Sequence, residues 1–190
     1  METALRDQQA CVLLVDDNPQ NLKVLYETLR DKGYQLLIAN DGEKAIQLAR
    51  RHQPEVILLD IMMPGMDGFE VCQTLRDDSA TALSAIIFLS ALNDTDAKVR
   101  GFNMGGADYI AKPFQAQEVI ARVDTQIRVI QLEREMRARN RQLESEQASI
   151  LNAIFEGIYG LDPRGVITFA NPAAAVITGA PQDTLVGQSL

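Results

Sequence analysis

Four polar positions in this 190-residue chain stand at the ends of short apolar runs. Asp16-Asp17 follow Cys11-Val12-Leu13-Leu14-Val15, and Asp60 follows Val56-Ile57-Leu58-Leu59. Ser90 follows Ile86-Ile87-Phe88-Leu89, and Lys112 follows Tyr109-Ile110-Ala111. If those runs are neighbouring parallel strands, carboxylates, a hydroxyl and an ammonium converge on one sheet edge, where open α/β sheets bind ligands. Carboxylates so placed offer the oxygen ligands that a hard divalent cation takes, and one ammonium among them suits a phosphoryl group. Each residue also has an ordinary reading. Asp16-Asp17 could serve as a helix N-cap with a spare charge, although Asn18, next to Pro19, offers that cap as well. Ser90 could be a loop hydroxyl and Tyr109 a core aromatic. The agreement of four strand ends favours the chemical reading.

The elements that must position these residues follow from periodicity. Apolar strand-length runs alternate with helical patterns, the signature of βαβ units and a parallel sheet. The expected strands are 11–15, 35–39, 56–59, 85–89 and 108–111. The four consecutive apolar residues of 56–59 suit a central strand covered on both faces. Asn18-Pro19 starts a helix with Leu22, Leu25, Tyr26 and Leu29 at helical spacing, and Gly33 stops it. A second helix, 43–50, turns Ala45, Ile46 and Ala49 inward. Pro64, Gly65 and Gly68 hold the segment after Asp60 as a loop. Further helices are expected at 69–77, at about 94–104 and after Pro113. The result is a doubly wound five-stranded α/β domain.

Composition narrows the classes. With 46% hydrophobic residues the chain can bury a full core. A formal net charge of −8 argues against a nucleic-acid surface, which needs a basic stripe. The apolar runs are too short to span a membrane, and Met1 to Ala10 lacks an apolar signal core. Cys11 and Cys72 read as small buried hydrophobes in a reducing cytoplasm, and His52, beside Arg50-Arg51, as a solvated loop residue.

The last helix of the domain runs on. Ile120, Val123, Ile127 and Ile130 form a stripe that can cover the sheet. Beyond it, Val129, Met136, Leu143 and Ile150 recur every seven residues, beside a half-polar column of Leu132, Arg139, Glu146 and Ala153. With Glu133/Arg137 and Glu135/Arg139 as i,i+4 pairs, this reads as a weak parallel coiled-coil seam and a homodimer through the helix. After Ile150, strands 158–161 and 166–170 flank the turn Asp162-Pro163-Arg164-Gly165. Asn171-Pro172 then start a short helix to Thr178, ended by Gly179, and Pro181 starts another turn. So small a tail is expected not to bury a core alone, leaving Ile158, Val166, Ile167 and Phe169 uncovered.

The motifs Asp16-Asp17, DIMMPGMDG around Asp60, Ser90-Ala91 and Lys112-Pro113, in this order and spacing, make Met1 to about Ile130 resemble the receiver domain of two-component response regulators, a flavodoxin-like fold. The resemblance implies that Asp60 accepts a phosphoryl group and that Asp17 binds Mg²⁺ directly. It further implies that Asp16 acts largely through water and that the Met62 backbone carbonyl is another metal ligand. Ser90 and Lys112 would contact the phosphoryl oxygens, Tyr109 would be the aromatic switch that follows Ser90, and the Lys112-Pro113 bond would be cis. The tail, through GIYGLDPRGVITFANPAAAVITG, resembles the opening part of a PAS domain. The strands that would form most of a cofactor pocket are absent, so no haem or flavin is assigned.

These readings give a receiver domain at 1–128, a helical coiled-coil linker at 129–149 and the N-terminal part of a PAS domain at 150–190. The expected function is that of a cytoplasmic response regulator in a phosphorelay. It would be phosphorylated by a histidine kinase or phosphotransfer protein with Mg²⁺ as cofactor, would have no turnover activity of its own and would not bind nucleic acid directly. Its output would lie outside this sequence, which reads as a piece of a longer regulator. The competing reading is a Mg²⁺-dependent aspartyl phosphohydrolase. That enzyme would need a carboxylic acid two residues after its nucleophile, where this chain has Met62.

Overall fold

Five strands form one parallel sheet, and the continuous apolar runs lie at its centre, where both faces are covered. The computed structural model describes residues 9–91, 100–101 and 103–189. In chain order the first elements are β1 (Cys11–Val15), α1 (Pro19–Leu29), β2 (Gln35–Ala39), α2 (Gly42–His52), β3 (Val56–Asp60) and α3 (Gly68–Arg76). They are followed by β4 (Ala85–Ala91), β5 (Asp108–Lys112) and the long α4 (Ala116–Ala153). The strand order is β2-β1-β3-β4-β5, with every neighbouring pair parallel. The helix expected at 94–104 falls mostly outside the described residues, although Arg100, Gly101 and Asn103 are helical.

Alternation of side chains along each strand divides the core in two. Leu13, Val15, Ile57, Leu59, Ile86 and Phe88 face α2 and α3, which contribute Ala45, Ile46, Ala49, Val71, Cys72 and Leu75. Val12, Leu14, Leu58, Ile87, Leu89 and Ile110 face Leu22, Leu25 and Leu29 of α1 and Val119, Val123 and Ile127 of α4. The three central strands are therefore buried on both faces. Covering them this way fixes where each strand ends and hence where the polar residues emerge.

Local chemistry starts and stops the helices. Asn18 caps α1 by accepting from the Gln20 N–H at 2.9 Å, with Pro19 in the first turn. Asp67 and Glu70 form a reciprocal capping box at α3. That box draws Gly68 into the first helical turn, whereas the sequence reading left it in the loop. Gly68 is needed there. A Cβ would lie 2.2 Å from the backbone oxygen of Asp60, so α3 starts in contact with the main chain of that residue.

Two further expectations are corrected. His52 is the exposed last residue of α2 rather than a loop residue, since Gln53 ends the helix in the left-handed region at φ 47°. Cationic side chains at a helix C-terminus oppose its partial negative charge, so Arg50 and Arg51 favour the last turn of α2 instead of breaking it. Tyr26 shares the spacing of the α1 stripe but sits at its margin and is exposed.

The chain divides into two compact units, Met1–Leu132 and Glu133–Leu190, with the division inside α4. Along α4, Val129, Leu132, Met136, Leu143 and Ile150 are exposed, and Glu133 pairs with Arg137 at 3.7 Å. The second unit continues with the antiparallel hairpin β6 (Tyr159–Leu161) and β7 (Ile167–Ala170), then α5 (Pro172–Thr178) and α6 (Gln182–Leu185). Contrary to expectation, it does hold a small core. Ile167, Ala170, Ala174 and Leu185 are buried together, and Ile158 and Val166 are half-buried. Leu185 on α6 and Ala174 on α5 supply the cover that the hairpin alone lacked. Phe169 remains exposed as expected.

One side chain organises this unit. Asn171 is fully buried, and its Nδ2 donates to the carbonyls of Leu151 (3.1 Å), Ile154 (3.5 Å) and Glu156 (2.9 Å). Its Oδ1 accepts from the Ile158 and Ala174 N–H groups at 2.9 and 3.0 Å. It therefore caps α5, satisfies a carbonyl in the last turn of α4 and fixes the turn between α4 and β6.

Candidate functional site

The sheet brings the predicted residues together at the C-terminal ends of four strands. Val15 pairs with Leu59, so Asp16 follows β1 beside Asp60, the last residue of β3. Asp60 pairs with Leu89, one residue before Ser90, and Lys112 pairs with Ala91. Oxygen atoms of Asp16, Asp17 and Asp60 all lie within 4.8 Å of one another. Asp16 and Asp60 are buried, with 0% and 3% exposure, whereas Asp17 is exposed.

Lys112 holds the two buried carboxylates together. Its Nζ lies 2.8 Å from Asp16 Oδ2 and 2.8 Å from Asp60 Oδ2. Burial works to lower the pKa of this ammonium, but its hydrogen bonds to Asp16 and Asp60 prevail and shift it upward. Asp60 is also pushed above the ordinary carboxylate range. Burial is the main cause and Asp16 adds to it, against the opposing pull of Lys112 and a 3.4 Å hydrogen bond from the Met62 N–H. A carboxylate group raised this way binds added positive charge favourably.

Ser90 is buried, and among the described residues its Oγ has no hydrogen-bond partner. A buried hydroxyl left this way costs about 1–3 kcal/mol, which makes it a marker for a group that binds there. Tyr109 is half-buried against the core beneath α2 and α3, with the Arg122 guanidinium 5.4 Å from its ring centroid. Arg122 is itself held by Asp108 at 2.6 Å and Glu118 at 2.9 Å. The side chain of Met62 is exposed, and its backbone lies beside Asp60 through the same N–H contact. The Lys112-Pro113 peptide is cis.

The sequence reading passed over Asn21. From the first turns of α1, its Nδ2 donates to both oxygens of Asp16 at 3.0 Å. Its position five residues after Asp16, beyond a capped helix start, was the available signal.

The donor set fits a divalent cation. Three carboxylates facing one ammonium leave an excess of negative charge, and hard cations such as Mg²⁺ take oxygen ligands of this kind.

Comparisons with known proteins agree with this geometry. Residues 12–124 match the family described as response regulator receiver domain, and residues 145–190 match the PAS fold. The DNA-binding dual master transcriptional regulator RpaA of Synechocystis sp. is 41% identical over 117 residues, covering 62% of this chain and 48% of that protein. The DNA-binding response regulator MtrA of Mycolicibacterium smegmatis is 39% identical over 117 residues, covering 62% and 50%. The chain thus spans about half the length of the curated relatives it matches. Among solved structures, chemotaxis response regulator CheY4 of Vibrio cholerae superposes with a TM-score of 0.59 at 30% identity, covering 62% of this chain and 98% of that one.

Proposed function

This chain belongs to the response regulator receiver family, and from that premise we propose that Asp60 is the phosphoacceptor of a phosphorelay. One Asp60 carboxylate oxygen attacks the phosphorus of a phosphorylated donor. The new O–P bond forms as the bond from phosphorus to the donor nitrogen or oxygen breaks, and the donor group leaves with the electron pair. Little of this is covalent work for the protein, which must position the groups and offset charge. Lys112 already contacts Asp60 and can turn its ammonium to the phosphoryl oxygens. The Ser90 hydroxyl can donate the hydrogen bond that it lacks.

The observation that carries this reading is the buried Ser90 hydroxyl, without a partner among the described residues, on the strand next to a carboxylate paired with the lysine. Asp16, Asp17 and Asp60, with the Met62 carbonyl, would hold Mg²⁺, which when bound supplies charge neutralisation between carboxylate and phosphoryl oxygens. Movement of Ser90 towards the phosphoryl group, followed by Tyr109, is the proposed change of state.

The donor is a histidine kinase or phosphotransfer protein, the setting is the cytoplasm, and two chains associate through the exposed seam Val129, Met136, Leu143 and Ile150. Among the described residues no helix is long and apolar enough to cross a membrane. RpaA and MtrA are DNA-binding by name, but the match reaches only about half of each. With its acidic balance, this chain is read as the input part of a regulator, receiving the phosphoryl signal rather than binding DNA. Similarity to response regulators favours this switch over the phosphohydrolase, which lacks its general acid at Met62.

Incubation with acetyl phosphate and Mg²⁺ tests the reading. One slowly decaying phosphate adduct is expected by intact-mass measurement, absent in Asp60→Asn. Steady phosphate release without an adduct would support the hydrolase instead.

A further inference from the structure

Asp16 is fully buried, and its carboxylate accepts four hydrogen bonds. On Oδ1 they come from the Asn18 N–H at 2.9 Å and Asn21 Nδ2 at 3.0 Å; on Oδ2, from Asn21 Nδ2 at 3.0 Å and Lys112 Nζ at 2.8 Å. An ionised carboxylate offers about four lone-pair sites, and these contacts, from three donor groups, crowd both oxygens. A cation or its bound water gains room at Oδ2 when a donor leaves. Lys112 is the donor with an alternative, because it also touches Asp60, where the phosphoryl group would form. The Asn18 N–H is fixed by the start of α1, and Asn21 stands on the same helix.

We infer that Asn21 is a positioning residue for the cation, holding Asp16 in place when Lys112 turns away so that Oδ2 becomes available to the metal or its water. The residue type fits the task. A lysine or arginine at position 21 would supply donors but repel the cation, and an aspartate would accept where Asp16 needs a donor. An amide gives hydrogen bonds without charge. The inference rests on the Mg²⁺ reading of the site and adds to it a residue outside the carboxylate cluster.

The test uses the full chain, with Mg²⁺ alone titrated calorimetrically and acetyl phosphate labelling measured across Mg²⁺ concentrations. Asn21→Ala is expected to raise the Mg²⁺ dissociation constant at least fivefold, while labelling at saturating Mg²⁺ falls by less than twofold. A residue that merely supports the fold would lower the melting temperature and leave the Mg²⁺ constant of the folded protein unchanged. A constant within twofold of the parent chain overturns the inference, as does a lower saturating rate with unchanged Mg²⁺ affinity. Should Asn21→Ala not fold, Asn21→Ser, which keeps one short neutral donor, is held to the same comparison with a threefold rise expected. Failure of the parent chain itself to bind Mg²⁺ would instead refute the metal reading on which the inference stands.

Discussion

Replacing Lys112 with methionine keeps most of the side-chain volume and removes the only charge that offsets the acidic cluster among its described contacts. Two carboxylates whose oxygens lie within 4.8 Å repel by about 3.5 kcal/mol or more at an effective dielectric of about 20. An ammonium 2.8 Å from a carboxylate attracts by about 6 kcal/mol on the same basis. Lys112 makes two such contacts, so it roughly balances the repulsion among Asp16, Asp17 and Asp60. Without it, Asp16 and Asp60 remain buried and uncompensated. Rearrangement and hydration soften the result, and loss of one partner from a buried ion pair costs about 3–5 kcal/mol. A domain with 5–15 kcal/mol of stability survives that loss. Urea unfolding of the metal-free proteins should therefore show Lys112→Met less stable by about 3–5 kcal/mol. Mg²⁺ would take over the neutralising task, so millimolar Mg²⁺ should stabilise the variant more than the parent, by about 1 kcal/mol or more, as expected for a tenfold tighter site. A loss below about 1 kcal/mol, or equal Mg²⁺ increments, would refute the charge argument.

Other perturbations address neighbouring groups. Ser90→Ala removes a buried hydroxyl without a partner among the described residues, so unfolding should show stability unchanged or raised by up to about 1 kcal/mol, while the yield of acetyl phosphate adduct falls. Asp60 has a raised pKa in the fold, so its contribution to stability is full below the ordinary carboxylate value of 3.8 and is lost as pH rises through the folded value. Asp60→Asn should thus melt above the metal-free parent at neutral pH, with the gap closing towards acid; a pH-independent gap would contradict the assignment. For Lys112 the sign gives stability that is present below 10.5 and declines as pH rises through its raised value, so alkaline melts of parent and Lys112→Met should converge. Gly68→Ala sets a Cβ against the backbone of Asp60, and calorimetric melting should report a loss of about 1–3 kcal/mol, accompanied by slower labelling at Asp60.

The sheet was legible because its central strands are unbroken apolar runs, and Asp16, Asp60, Ser90 and Lys112 were legible because each ends an apolar run. Asn21 was not. Its part depends on how the first turns of α1 lie over the end of β1, which no linear spacing states. Gly68 was read as a loop breaker because glycine usually is one; the Asp67/Glu70 box and the contact with Asp60 reverse that role. Tyr26 shows the limit of a helical stripe, where a residue at helical spacing still falls on the margin. Ile167 was expected to be bare because its cover comes from Leu185 and Ala174, which no hairpin pattern anticipates.

Asn171 gathers five hydrogen bonds onto one amide, with acceptors and donors drawn from the end of α4, the approach to β6 and the start of α5. Contacts that share a single member are made and broken as a set. A twist or pull that frees this side chain would release all three segments in one event, since partial release strands polar groups in the interior. The second unit should therefore answer a load on α4 in an all-or-none manner, staying rigid up to a threshold and yielding abruptly beyond it.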